Sequence, residues 1–269
     1  MNRKSPMNAP HVTTLRYRII PHHNVDYNNA PPVVEHTDDF LLRIQGEGAI
    51  FEMKKHFASA EEARKVVDEY LGAWEMLIGL EHDPGDLSFA FQKAQVIDLS
   101  PPPQANKQLN LQAHISGHSV TPSVSVHISF DKYPSRPQNF VVTPDVETMY
   151  LRYNAYRHNR ESLTSMAYMC LTILELGASG RKEAAKQYSI EFSVLDILGR
   201  FCSTKGDPTE ARKAPRDGKF LPLTQGEKGW IIEVIKALIR RAGEWAYDRS
   251  ANLPKLSLAD FPKLEGSNP

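Results

Sequence analysis

The sequence predicts an α+β protein: a β-rich N-terminal module with one amphipathic helix over residues 1–142, then a C-terminal bundle of four helices over residues 143–269. Three observations carry this. Short β-branched and aromatic runs bounded by Pro, Gly and Asn fill the first half, where the hydrophobic period changes repeatedly. The second half holds a helical period almost throughout. Between them, Thr143 followed by Pro144 forms a helix entry, with the hydroxyl as cap and the proline in the first turn.

Strands are expected in VTTLRYRII, DFLLRI, AIFEMKKHF, LSFAFQKAQVIDL, LNLQAHIS and SVSVHISF. In the fourth of these Leu87, Phe89 and Phe91 alternate, the pattern of a sheet with one buried face. One helix interrupts the strands. Ser59 can cap the free amide near Glu62 while Glu62 reaches back, and the apolar stripe runs Val66, Val67, Tyr70, Leu71, Trp74, Leu77, Ile78. Pro31-Pro32 and Pro101-Pro102-Pro103 read as loops, because proline lacks the amide that a central strand donates.

The four helices are expected over Pro144 to Tyr156, Arg160 to Leu176, Arg181 to Cys202, and from a capping box at Thr224 and Glu227 onward. Gly177 and Gly180 close the second, and Lys205-Gly206 ends the third. The last helix has the cleanest stripe of the chain: Trp230, Ile231, Val234, Ile235, Leu238, Ile239, Ala242, Trp245. The junction at Thr143 carries no flexible linker, which favours a fixed interface.

Composition removes several function classes. Lys plus Arg and Asp plus Glu are 32 each, so no global field gathers nucleic acid or anionic membrane. Residues 1–143 carry 13 basic and 16 acidic side chains, residues 144–269 carry 19 and 16, a weak asymmetry. Cys170 and Cys202 lie in expected helices among apolar neighbours, where a thiol acts as a small hydrophobe, so a reducing cytoplasm is expected. The start MNRKSPMNAPH has no apolar stretch behind its basic tip, and no window approaches the roughly 20 apolar residues of a membrane span. Neither secretion nor membrane insertion is expected.

All ten histidines lie between His11 and His158, so the last 111 residues offer none for acid-base or metal chemistry. His114 and His118 would share one face of a strand, but no third ligand accompanies them, and His22 and His23 point to opposite faces. No metal or cofactor is therefore expected. GxSxG, CxxC, GxxxxGK[ST] and a GxGxxG placed after a strand are all absent. Asp38-Asp39, Glu61-Glu62 and Asp68-Glu69 are sequence neighbours that do not face each other across a bond, and read as surface. The one local concentration of positive charge is ARKAPR with Lys219, followed by Lys236, Arg240 and Arg241. It reads either as a solvated loop and helix face or as a hold for phosphates.

The helical half, RYNAYRHNRESLTSMAYMCLTILE, AAKQYSIEFSVLDILGR and ARKAPRDGKFLPLTQGEKGWIIEVIKALIRR, resembles bacterial proteins labelled methylamine utilisation protein MauJ, over most of the chain. It is also similar to HEPN domains, four-helix modules of which many are metal-independent RNases in bacterial defence and toxin systems. That resemblance implies an arginine and a histidine, four to six residues between them, near the start of a late helix. At the matching place stands Arg212, and no histidine follows it. Arg152 and His158 have the same spacing in RYNAYRH, as do three pairs in RYRIIPHH. The expected function is accordingly a non-catalytic binding or regulatory one. The bundle would dimerise and offer Arg212, Lys213, Arg216, Arg240 and Arg241 to an anionic ligand, RNA or a protein partner. The alternatives are an endoribonuclease using Arg152 and His158, or a histidine from another subunit, in phage defence, and an accessory factor of methylamine utilisation.

Overall fold

Among the described residues the first half forms seven strands and one helix: β1 (Pro10–Pro21), β2 (Val25–Asp26), β3 (Val33–His36), β4 (Phe40–Gln45), β5 (Gly48–Met53), α1 (Ala60–Glu81), β6 (Leu87–Asp98) and β7 (Ile128–Ser129). The computed structural model describes residues 9–21, 25–27, 29–99, 128–129, 132–135, 137–206 and 220–264. LNLQAHIS and most of SVSVHISF lie outside the described residues. Five strands make an antiparallel sheet in the order β3-β4-β5-β1-β6, and β2 pairs in parallel with β7. The short run VVEH directly after Pro31-Pro32 becomes the edge strand β3, which the sequence reading did not anticipate.

Period-2 alternation sets the two faces of the sheet. Phe40, Leu42 and Ile44 of β4, Ala49 and Phe51 of β5, and Leu15, Tyr17 and Ile19 of β1 are buried on one of them. In β1 the alternation carries a slip: Val12 is buried as well, three residues before Leu15. The register shows why, since Val12 pairs with Val96 and Thr14 with Gln95, leaving Thr13 as an extra residue. Such a bulge resets the phase of the strand.

α1 covers the buried face. Ser59 caps it, its hydroxyl accepting the Glu62 N–H at 3.2 Å, while the Glu62 carboxylate accepts from the Ala58 N–H at 3.2 Å, one residue earlier than a capping box requires. Val67, Leu71, Trp74, Leu77 and Ile78 are buried, and Val66 and Tyr70 partly so, as the stripe predicts. Three polar ties fix the helix on its sheet: Tyr17 donates to Asp68 (2.5 Å), Tyr70 to Glu35 (2.9 Å), and the Phe89 amide to Glu75 (2.7 Å).

The chain divides into two compact units, Met1–Arg136 and Pro137–Pro269. The second contains α2 (Pro144–Arg157), α3 (Leu163–Gly177), α4 (Arg181–Gln187), α5 (Phe192–Thr204) and α6 (Gln225–Tyr247). The whole is a mixed α+β protein. The division precedes Thr143 because residues 137–143 already belong to the helical unit. Phe140 is buried against Gly243, where an added Cβ would lie 2.2 Å from its ring, and the Val141 N–H donates to the Gly243 carbonyl at 3.1 Å.

Local helix signals agree with the structure at several ends. Thr143 caps α2, accepting the Val146 N–H at 3.3 Å, and Thr224 with Glu227 forms a complete capping box on α6. The expected single helix from Arg181 to Cys202 is corrected: it is two, α4 and α5, broken at residues 188–191. There Ser189 adopts φ 50°, and Ile190 leaves the helical path to bridge Leu256. The Glu191 N–H donates to the Leu256 carbonyl (2.7 Å), and the Leu256 N–H to that of Ser189 (2.9 Å).

Candidate functional site

The corner between α2 and α3 holds the paired candidates, Arg152 and His158. Arg152 projects from α2 and ion-pairs with Glu161, the residue just before the Ser162 cap of α3. The Glu161 side chain is only 9% exposed, and burial pushes its carboxyl above the usual carboxylate range while Arg152 opposes the shift. The Arg152 Nε is buried without a hydrogen-bond partner. His158 sits exposed at the C-cap of α2, its Nδ1 2.9 Å from the Asn154 carbonyl oxygen, which places the proton on Nδ1 in the neutral ring. Six residues along a helix turn a side chain by about 240°, so the spacing sets the two side chains about a third of a turn apart. Each has a partner of its own. The sequence reading missed Glu161, because a carboxylate in the first turn of the helix expected from Arg160 reads as solvated charge favoured by the helix dipole, whereas α3 starts only at Leu163.

Of the five cations expected to meet an anion, Arg240 and Arg241 fall among the described residues. Arg212, Lys213 and Arg216 lie outside the described residues, as do Lys219, His22, His23, His114 and His118. Arg240 is half-buried on α6 and already engaged. Arg241 is corrected: it is 5% exposed, with Nη1 donating to the carbonyls of Tyr188, Ser189 and Pro254 and Nε donating to Glu244. It is part of the interior and is not presented to a ligand. The signal was legible, since Arg241 falls three residues after Leu238 and seven after Val234, inside the apolar stripe. Lys236 pairs with Glu233 at 3.0 Å.

The paired carboxylates serve local structure. Asp39 pairs with Lys55 at 2.6 Å, Glu62 helps cap α1, and Asp68 holds Tyr17 and Arg64. Among the described residues no group of three or more His, Cys, Asp or Glu is placed to hold a metal ion. No described helix is long and apolar enough to cross a membrane. Cys170 and Cys202 are both buried, and burial, reinforced by the Glu161 charge, raises the Cys170 thiol far above its ordinary range. A nucleophilic thiol needs the opposite environment. In the native protein iodoacetamide at mildly alkaline pH is therefore expected to leave both cysteines unmodified by intact-mass spectrometry, with two adducts after denaturation. Rapid native labelling of Cys170 would contradict this burial.

Comparison of the chain with protein-family models, curated proteins and solved structures gives no match.

Proposed function

We propose that this chain is a non-catalytic binding protein whose helical unit is a HEPN-like bundle that joins a second copy of itself. The reading rests on the outward face of α3. Tyr168, Met169, Thr172 and Leu176 recur there at helical spacing, with Met169 37% and Leu176 78% exposed. The helix contains one charged residue, Glu175, and Arg181 holds it at 2.6 Å. A helix this apolar is ordinarily covered on every side. Because the stripe is uncharged, nothing on it opposes the meeting of two identical faces about a two-fold axis, which makes a second copy the natural occupant.

The four longer helices α2, α3, α5 and α6 supply the bundle, with the seven-residue α4 as a connector. The separate partners of Arg152 and His158 favour binding over cleavage. An anionic partner of the bundle would meet Arg212, Lys213, Arg216 and Arg240, without Arg241.

Sedimentation equilibrium tests the assembly. The wild-type chain is expected at twice its 30.3 kDa mass, and the Met169→Glu, Leu176→Glu variant at 30.3 kDa. A wild-type monomer at all concentrations would remove the proposed interface. Metal-free incubation with structured RNA tests the rest: fragments produced by the wild type and lost in Arg152→Ala would make the protein an endoribonuclease.

A further inference from the structure

Folding sorts the charges of the first unit in a way that its overall acidic balance conceals. The register places Val34, Arg43, Ile50, Arg16 and Lys93 in one row across all five strands, β3 to β6, on the face opposite α1. Arg18 stands two residues along β1 from that row, on the same face. All four cations are exposed. The excess of carboxylates lies elsewhere, much of it on α1, where Glu61, Glu62, Asp68, Glu69, Glu75 and Glu81 outnumber Arg64 and Lys65.

Two of the four cations have surface partners, Arg18 with Glu47 at 2.8 Å and Arg43 with Glu52 at 2.9 Å. Such exposed pairs hold weakly and exchange readily for a stronger anion. Arg16 and Lys93 are directly opposite each other on neighbouring strands, and neither has a carboxylate partner among the described residues. Like charges directly opposed across a sheet are destabilising. Places where a local rule is broken without compensation are where binding sites are to be sought.

We propose that this face of the sheet binds the phosphodiester backbone of a single-stranded nucleic acid, with Arg16 and Lys93 at its centre. The cations form a line, not a converging cradle. At a strand spacing of about 4.8 Å the row from Arg43 to Lys93 extends roughly 14 Å, which suits an extended polyanion crossing the strands more than one isolated phosphate. Ile50 stands between the cations and Val34 at the edge, and the row carries no aromatic ring, so it contacts the backbone without stacking bases. Binding is accordingly independent of sequence and steeply salt-dependent. The surface lies in the first unit, so it stands or falls separately from self-association through α3.

Fluorescence anisotropy with a labelled oligouridylate about 20 nucleotides long, at about 50 mM salt, tests the proposal on the full chain. Wild type is expected to bind, and Arg16→Ser, Lys93→Ser to bind at least about tenfold more weakly, with the log–log salt slope shallower by about 1.4 for two lost phosphate contacts on a single strand. The exchange Arg16→Lys, Lys93→Arg keeps the charge and is expected to keep binding. The Ser double variant is expected to melt no lower than wild type, since it relieves a repulsion. Lys182→Ser, Lys186→Ser, which removes two exposed cations of the helical unit, is expected to bind as wild type does. Absence of wild-type binding, unchanged binding in the Ser variant, or wild-type binding to phosphatidylserine vesicles but not to the oligonucleotide would overturn the proposal.

Discussion

Replacing Arg241 by alanine is expected to cost about 3–5 kcal/mol of the helical unit's stability, the range for removing one member of a buried, hydrogen-bonded charge site. The side chain leaves α6 and enters the interior, where Nη1 lies 3.0 Å from the Tyr188 carbonyl, 3.2 Å from Ser189 and 2.7 Å from Pro254. Nε donates to Glu244 at 3.1 Å. The first two acceptors sit where α4 has ended, so no helical amide is available to them. The third belongs to the segment that pairs through Leu256 with Ile190. One guanidinium thus ties α6, the break between α4 and α5, and the chain beyond α6. Alanine takes the donor from the Tyr188 and Pro254 carbonyls, while that of Ser189 keeps the Leu256 N–H, and it opens a void along the stem. Arg241→Met separates the two losses, because it keeps apolar stem volume and removes only the donors. Arg241→Lys is expected to fall between wild type and Met, as a single ammonium cannot reproduce a planar fork. Urea unfolding followed by circular dichroism gives the comparison; an alanine variant within about 0.5 kcal/mol of wild type, the size of an ordinary surface change, would show that these contacts do not hold the unit together.

The division between what the sequence discloses and what it conceals follows contact range. Ser59, Thr143 and Thr224 announce their helices because a cap and the amide it satisfies lie three residues apart. The apolar stripes of α1 and α6 are equally local, since a face is defined by its own period. The break at Ser189 and Ile190 is not local: it exists because Leu256 supplies the bridge and Arg241 the donors. A propensity reading therefore runs one helix through it. Likewise the lead-in to α2 joins the helical unit because Phe140 finds Gly243, a neighbour far along the chain. β3 is legible only once DFLLRI is known to need a partner on its outer edge. The candidate site divides the same way. The spacing of Arg152 and His158 is visible, but Glu161 gains its meaning from the packing of α2 and α3. Arg16 and Lys93 come together only through the register of β1 on β6.

Trp74 carries the second large effect, this time in the sheet-bearing unit. It is 1% exposed, stands in the middle of the α1 stripe, and lies with ring centroids 5.3 Å from Phe89 and 6.2 Å from Tyr70. Removing a buried indole leaves a cavity that a helix pinned by Tyr17, Tyr70 and Glu75 cannot close, so Trp74→Ala is expected to cost about 3–5 kcal/mol. Its Nε1, however, is buried without an acceptor. A stranded donor costs about 1–3 kcal/mol, and phenylalanine abolishes it while keeping most of the ring volume. Trp74→Phe is therefore expected to lose less than about 1.5 kcal/mol, the gain from the missing N–H offsetting much of the lost contact. The Phe variant also separates the units, because Trp230 and Trp245, its remaining tryptophans, both lie on α6 and report only the helical one. Fluorescence then follows that unit while far-ultraviolet circular dichroism follows both. If phenylalanine proves as costly as alanine, the indole N–H is satisfied in solution and the balance drawn here for the sheet's core is wrong. If the two probes give separate midpoints in that variant, the units unfold independently and each Arg241 and Trp74 effect belongs to its own transition.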